Sequence, residues 1–88
     1  MVYMISYDFG SPTNNREKVM EDIKSLGTWC KYLTTTFLVK TDGTKQEVTD
    51  ICTRNLDNND RMIIAPVSGK VSGWLTDEQW AWIRENLL

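Results

Sequence analysis

The 88-residue sequence predicts a single α+β domain, residues 1–88, with the element order β-α-β-β-α-β-α. Runs of β-branched and aromatic residues alternate with segments whose apolar residues recur at helical spacing. Two later segments begin with Thr-x-x-Glu or Thr-x-x-Gln, the pattern of a helix N-terminus. A chain this short does not divide into two compact domains, so these elements must share one core.

The first half of the chain contains a strand, a helix and a hairpin. Residues 2–7 form the first strand, which stops at Asp8 before a turn at 10–12. A helix is expected over 14–26, because Asn14 and Glu17 have N-cap and N3 spacing and Gly27 follows the last apolar position. The helix stripe comprises Val19, Met20, Ile23 and Leu26. Two β-rich runs joined by threonines, 29–33 and 36–40, predict a short hairpin.

The second half repeats the helix-strand alternation. Residues 44–47 form a capping box that opens the second helix. Residues 62–65 with Val67 predict a fourth strand, which Pro66 places at a sheet edge or a bulge. After a short extended piece at 70–72, a second capping box at 76–79 opens a terminal helix over 77–87. This order is the split βαβ pattern of a ferredoxin-like βαββαβ fold, an antiparallel four-stranded sheet with an additional C-terminal helix.

The strands are apolar on both sides, which is unusual for a sheet that faces water on one side. The continuous apolar runs are 2–5, 37–39 and 62–65. The two helices of the βαββαβ unit cover one face, so something else must cover the other. Either the terminal helix with Trp80 and Ile83 does so, or a second copy of the sheet does. We favour a homodimer, because packing sheet on sheet buries the most apolar area.

Composition excludes several kinds of chemistry. The chain has no histidine, so it supplies no imidazole base, no Ser-His-Asp triad and no His-containing zinc site. Cys30 and Cys52 are predicted to be buried thiols, with a single disulfide left open. The N-terminus lacks the pattern of a signal peptide and no apolar run is long enough to cross a membrane, so we expect a cytoplasmic protein.

One carboxylate is a candidate for chemistry. Asp8 ends the first strand on the same face as Ser6 and close to Ser11. Such a group can hold a hard divalent cation such as Mg²⁺ or Mn²⁺, and two copies meeting at a dimer axis could share a metal that activates water for phosphodiester hydrolysis. The alternative is an ordinary turn aspartate that bonds its own backbone. The acidic loop 57–60 lacks the glycine and glutamate of a calcium loop and is expected to be a turn.

Aromatic residues are the other candidates, as binding groups. Four tryptophans are many for this length. Trp80 fits the apolar stripe of the terminal helix, and Trp74 precedes that helix. Trp82 lies off the stripe and is either exposed or, as we favour, a partly buried surface aromatic. Exposed tryptophans anchor protein interfaces or stack on bases. The ten basic residues are scattered through a chain of net charge -2, so no phosphate track is evident.

Short strings spread along the chain resemble a known group. They are 4–8 (MISYD), 23–27 (IKSLG), 32–39 (YLTTTFLV), 59–64 (NDRMII), 73–75 (GWL) and the Trp-x-Trp of 80–82. The sequence is similar to small ferredoxin-like proteins related to the CRISPR-associated spacer-acquisition nuclease and to virulence-associated protein D toxins. It resembles most the short bacterial and phage proteins called SinR-like, and no helix-turn-helix of a SinR repressor is evident.

This resemblance implies a homodimer in which Asp8 faces its symmetry mate and binds a divalent metal for RNA or DNA cleavage. It also implies an alternative, because in the spacer-acquisition relatives the fold can act without catalysis as a scaffold for duplex DNA. The sequence departs from that pattern, since its pI is about 5.0 and it lacks basic clusters.

Two functional hypotheses therefore remain. The first is a metal-dependent or vestigial nuclease, with Asp8 as ligand and Ser6, Tyr7 and Ser11 shaping the site. The second, which we favour, is a non-catalytic binding protein that acts through exposed aromatics such as Trp74 and Trp82. Its partner would be a protein, with nucleic acid less supported by charge, and a phage-encoded modulator of host defence is one such role.

Overall fold

The computed structural model describes residues 1–10 and 15–87. The elements follow the predicted order: β1 (Val2–Asp8), α1 (Arg16–Lys24), β2 (Thr28–Leu33), β3 (Thr36–Lys40), α2 (Lys45–Thr53), β4 (Arg61–Val67) and α3 (Asp77–Asn86). The two predicted capping boxes are both present. Thr44 Oγ1 accepts from the Glu47 N–H and Thr76 Oγ1 from the Gln79 N–H, each at 3.1 Å.

Helix α1 is shorter than the predicted 14–26. It begins after Asn15, whose side chain makes no capping bond, and Asn14 lies outside the described residues. Its C-terminal end closes at Ser25, whose N–H donates to the Glu21 carbonyl oxygen at 2.9 Å. The apolar stripe correctly located the helix, but apolar spacing alone does not fix where a helix ends.

The four strands form one antiparallel sheet in the order β2-β3-β1-β4. With α1 and α2 between the strands in sequence and α3 at the C-terminal end, this is a ferredoxin-like α+β fold, as predicted. Strand β1 lies inside the sheet, paired on both sides, and β4 lies at an edge. Pro66, opposite Tyr3, therefore sits on an edge strand, where its missing N–H costs little.

The first face of the sheet, the face covered by α1 and α2, carries the main core. Strand residues Tyr3, Ile5 and Phe37 pack with Val19 from α1 and Val48 from α2. Phe37 and Ile5 are the largest of the fully buried side chains. Side chains alternate along β1, so the odd-numbered ones lie on this face and the even-numbered ones on the opposite face. A continuous apolar run in β1 therefore places apolar side chains on both faces of the sheet.

The opposite side, the second face, is partly covered by α3 and the preceding segment 68–76. Val2 and Leu38 from the sheet pack with Ile83 of α3. Partly buried neighbours complete this cluster; they are Tyr32, Val67, Val71, Leu75, Trp80, Trp82 and Leu87. The predicted extended piece 70–72 joins no strand. The terminal helix thus covers one part of the second face, which is one of the two coverings that the sequence left open.

Hydrogen bonds from Gln79 and Tyr32 attach α3 to the edge strand β2. Gln79 Nε2 donates to the Tyr32 carbonyl oxygen at 2.9 Å, and the Tyr32 hydroxyl donates to the Gln79 carbonyl oxygen at 2.7 Å. Gln79 also belongs to the α3 capping box. One residue therefore both stabilises the N-terminus of α3 and attaches the helix to β2. Within residues 1–10 and 15–87, no helix has the length and apolarity needed to cross a bilayer.

Candidate functional site

The part of the second face that α3 leaves uncovered carries large exposed apolar side chains. We call Met4, Leu33 and Ile63 the free patch; their exposed fractions are 38%, 62% and 66%. They come from three strands, β1, β2 and β4. Scattered apolar residues are normal on a protein surface, but three large ones on one sheet face make that face a candidate binding surface.

An irregularity in β2 brings Leu33 to this face. The pairing of β2 with β3 shifts register between Lys31 and Leu33. As a result, Tyr32 and Leu33, although consecutive, both border the same groove on the second face. Regular alternation would send consecutive side chains to opposite faces, and a bulge is what redirects one of them. The sequence carried no glycine or turn signal that would have located this bulge.

Two hydroxyl groups lie next to each other on the second face. Ser6 Oγ and Thr36 Oγ1 are 3.1 Å apart, across the register pair that joins β1 to β3. Thr36 is buried and Ser6 is half-buried. Each hydroxyl can donate one hydrogen bond and accept more than one, so the pair keeps further hydrogen-bonding capacity toward whatever covers the face.

A groove runs between this surface and the segment that precedes α3. It encloses about 340 Å³ and its borders include Met4, Leu33, Leu38 and Val71. Trp74, one of the predicted binding residues, stands at the rim of the groove and is 100% exposed. Most of the residues that line the groove are apolar, as in sites that bind an apolar side chain.

Asp8 is the last residue of β1. A shallow depression of about 270 Å³ is bordered by Ser6, Asp8 and Ile63 among others. Asp8 is exposed and lies opposite Arg61 in the β1–β4 register. The Arg61 guanidinium donates instead to the carbonyl oxygens of Asn58 and Asp60, at 2.9 and 2.7 Å. In the described part of the chain, no three carboxylate or thiol side chains come together as a metal-binding group around Asp8 or elsewhere.

The other predicted site residues are not gathered around Asp8. Tyr7 borders the depression, but its ring belongs to the first-face core and its hydroxyl donates to the Thr34 carbonyl oxygen at 3.4 Å. Burial raises the pKa of Tyr7, so the phenol stays protonated near neutral pH. Ser11 lies outside the described residues.

Trp82 is partly buried, which is the alternative that the sequence favoured over full exposure. Its ring packs edge-on to Tyr32 with centroids 6.1 Å apart, inside the second-face cluster. Its indole Nε1 is buried and has no acceptor among the described residues. Trp82 lies off the apolar stripe of α3 but still belongs to this cluster, together with Val71 and Leu75 of the segment before the helix, so the buried side of α3 is wider than one stripe.

The acidic loop 57–60 serves as a turn, as the sequence indicated. Asp60 is buried, and its two carboxylate oxygens accept from the N–H groups of Gly10 and Asp57, each at 2.8 Å. A Cβ on Gly10 would lie 2.1 Å from the Asn59 carbonyl oxygen, so only glycine fits at that point. Asp60 thereby fixes the end of β1 against the start of β4, next to Asp8.

A polar cluster between the two first-face helices was not predicted from the sequence. Asp22 of α1 is buried and accepts from Arg54 Nε at 3.1 Å and from Asn55 Nδ2 at 2.7 Å. The hydrogen bond from Arg54 is the main cause that holds the pKa of Asp22 below its ordinary value, against the opposing effect of burial. An aspartate next to Ile23 within the apolar stripe was the available signal.

Both cysteines are free, as predicted. Cys52 is buried and Cys30 is half-buried. Burial raises the pKa of Cys52 to about 12 and also raises the pKa of Cys30, so both are thiols rather than thiolates at neutral pH. Both cysteine side chains therefore serve as packing groups.

Comparisons with known proteins bear on the fold. No family model and no curated protein matches the chain. Among solved structures, the chain is similar to a hypothetical protein, TT1823 from Thermus thermophilus, with a TM-score of 0.65 and 26% sequence identity. The similarity covers 85% of this chain and 90% of that chain, so the two share nearly the whole ferredoxin-like architecture.

Proposed function

We propose that this protein is a non-catalytic binding protein, and that the second face of its sheet is the binding surface. The observation that carries the proposal is the free patch, in which Met4, Leu33 and Ile63 are exposed together on one face. Most of the sheet's other apolar side chains are covered by the chain's own helices, apart from Trp29 at the β2 edge, which is 41% exposed. An apolar patch of this kind gains free energy when another protein surface removes it from water.

The partner that fits this surface first is a second copy of the chain. The molecule is flat, with extents of 35 × 26 × 17 Å, so its broad face is comparable with the roughly 800 Å² per partner that a standard interface buries. Asp8 and Arg61 are the charged residues that border the depression, and they have opposite signs. The two charges cancel, so the surface as a whole does not repel a second copy.

Sedimentation velocity over a range of concentrations tests this proposal. Wild-type protein is expected to form a dimer, and Ile63→Arg is expected to be a folded monomer, because it introduces a charge into the apolar surface. Thr53→Arg is the matched control, since it puts the same charge at an exposed position on α2 in the other layer. A wild-type protein that stays monomeric throughout, or an Ile63→Arg variant that dimerises as well as Thr53→Arg, would overturn the proposal.

A second candidate function is a divalent-metal-dependent nuclease that uses Asp8. One observation favours it: Asp8 and Ser6 share the second face, so dimerisation through that face would bring two copies of the carboxylate toward one interface. A shared Mg²⁺ or Mn²⁺ would offset the repulsion between them.

The two candidates differ in one assay. The nuclease hypothesis requires that purified protein cut labelled RNA or DNA with Mg²⁺ or Mn²⁺, and that Asp8→Asn abolish the cutting while circular dichroism shows an unchanged fold. Our proposal expects no cutting above the level of the Asp8→Asn protein, which also serves as the control for contaminating nucleases. Cutting that depends on Asp8 would overturn the binding-protein proposal in favour of the nuclease.

A further inference from the structure

Trp74 is the most exposed apolar side chain in the described residues, and its surroundings are apolar. It is 100% exposed, whereas Val71 and Leu75 on either side of it in the same segment pack into the second-face cluster. The segment is therefore held against the sheet by its neighbours, while the Trp74 side chain is fully exposed. A tryptophan buries about 150–250 Å² when it packs against a partner, so Trp74 offers a large apolar area that is not buried in the monomer.

The groove beside Trp74 lacks a side chain to fill it. Its volume is about 340 Å³, and Met4 and Leu33 form its uncovered side. None of the residues that line it is charged. An aromatic ring entering this groove would therefore displace water from apolar walls without stripping water from any charge.

We propose that in the dimer Trp74 of each copy packs into the groove of the other copy, against Met4 and Leu33. The inference rests on the proposed function, because it needs the second face to be the interface. Each groove is then completed by a residue from the second copy, and Trp74 is the energetic centre of the contact.

Two-fold symmetry makes this exchange geometrically natural. In an interface between identical patches, residue i of one copy meets residue j of the other, and j meets i. Trp74 and Leu33 border the same groove, so an axis that passes close to the groove brings each Trp74 over the Leu33 of the second copy. Tryptophans seated in central, desolvated pockets are the residues that dominate binding energy in such interfaces.

The first test is the dimer dissociation constant of Trp74→Ala, measured by sedimentation. We expect this constant to rise by about tenfold or more, as for a hot-spot residue. Trp74→Phe, which keeps a smaller ring, is expected to lose less. Trp29→Ala is the matched control, since Trp29 is 41% exposed but packs edge-on to Phe37 on the first face, and it should leave the constant unchanged.

The second test asks whether the contact is between copies. In a Cys30→Ser background, chains carrying Trp74→Cys are mixed with chains carrying Leu33→Cys under mild oxidation. We expect disulfide-linked heterodimers. Chains carrying Trp29→Cys, mixed in the same way with the Leu33→Cys chains, are expected to give none, because Trp29 is on the other face.

The outcomes separate this inference from the proposed function. If Ile63→Arg dissociates the dimer but Trp74→Ala behaves like Trp29→Ala, the interface stands and the role of Trp74 is wrong. If the linkage forms only within a chain that carries both cysteine substitutions, Trp74 closes onto its own groove and the exchange is wrong. If the wild-type protein is a monomer at every concentration, both proposals are wrong.

Discussion

The two faces of the sheet are built from the same strands but are completed differently. On the first face, α1 and α2 seal a core that includes Phe37 and Ile5, both fully buried. On the second face, α3 covers Leu38 and leaves Met4 and Ile63 exposed. The first face therefore buries most of the core, whereas the second leaves apolar side chains exposed. Under our proposal, this difference separates the folding of the chain from its binding, with one on each side of the sheet.

The largest expected difference between the faces concerns two neighbours on β3. Phe37→Ala empties a fully buried site on the first face and should lower the free energy of unfolding by about 3–5 kcal/mol. Leu38→Ala removes a side chain from the smaller second-face cluster and should cost about 2–3 kcal/mol, at the low end for a leucine. Urea unfolding of both variants measures this. Equal losses, or a larger loss at Leu38, would contradict the division between the faces.

An intermediate effect concerns the ionic contact between α1 and α2. Loss of Asp22 leaves Arg54 and Asn55 without their acceptor, so Asp22→Ala should cost about 1–3 kcal/mol. The value should fall toward the lower end, because the Arg54 side chain is 57% exposed and water screens the pair. Asp42→Ala, at an exposed position, is the control in the same urea titration. A loss no larger than that of the control would show that the cluster does not hold the helices together.

The same contact predicts a pH dependence confined to the first-face layer. The pKa of Asp22 is lowered on folding, so its contribution is present above the ordinary aspartate pKa of about 3.9 and is lost as pH falls through the lower folded value. The docking of α3 uses the neutral groups of Tyr32 and Gln79, so acid should not weaken it directly. Amide exchange between about pH 5 and pH 3 should show α1 and α2 losing protection before α3. The reverse order would contradict this account.

The smallest effect comes from the two capping boxes, which have the same chemistry on opposite faces. Thr44→Ala and Thr76→Ala should each cost about 1 kcal/mol of helix stability. The location of the loss should differ. Removing the α2 cap should lower global stability, whereas removing the α3 cap should mainly increase amide exchange within α3, because α3 rests on the smaller cluster. Identical exchange patterns for the two variants would show that α3 is as firmly integrated as α2.

Local signals in the sequence were sufficient for most of the fold. The capping boxes at Thr44 and Thr76 predicted where α2 and α3 begin, because their side-chain bonds are made within four residues. Pro66 likewise indicated an edge strand, because proline has no backbone N–H to donate to a neighbouring strand. The apolar character of both sheet faces also came directly from the strand sequences.

The features that the sequence did not reveal depend on contacts between distant segments. Trp82 is partly buried because Tyr32, fifty residues earlier in the chain, packs against its ring. Leu33 joins the free patch through a register shift between β2 and β3. Asp22 is satisfied by Arg54 and Asn55 from beyond α2. Asp22 within the apolar stripe of α1 was a local signal, but the partners in all three pairings come from distant segments and become visible only once the chain is folded.

The central claim is that the second face of the sheet is a binding surface, which a second copy occupies in the dimer. The most direct measurement is an isotope-filtered NOE experiment on a mixture of labelled and unlabelled protein, which detects contacts between copies alone. We predict intermolecular contacts from the methyl groups of Ile63, Leu33 and Met4, with the Trp74 ring among their partners. Intermolecular contacts confined to residues of α1 and α2, or none at millimolar concentration, would contradict the account.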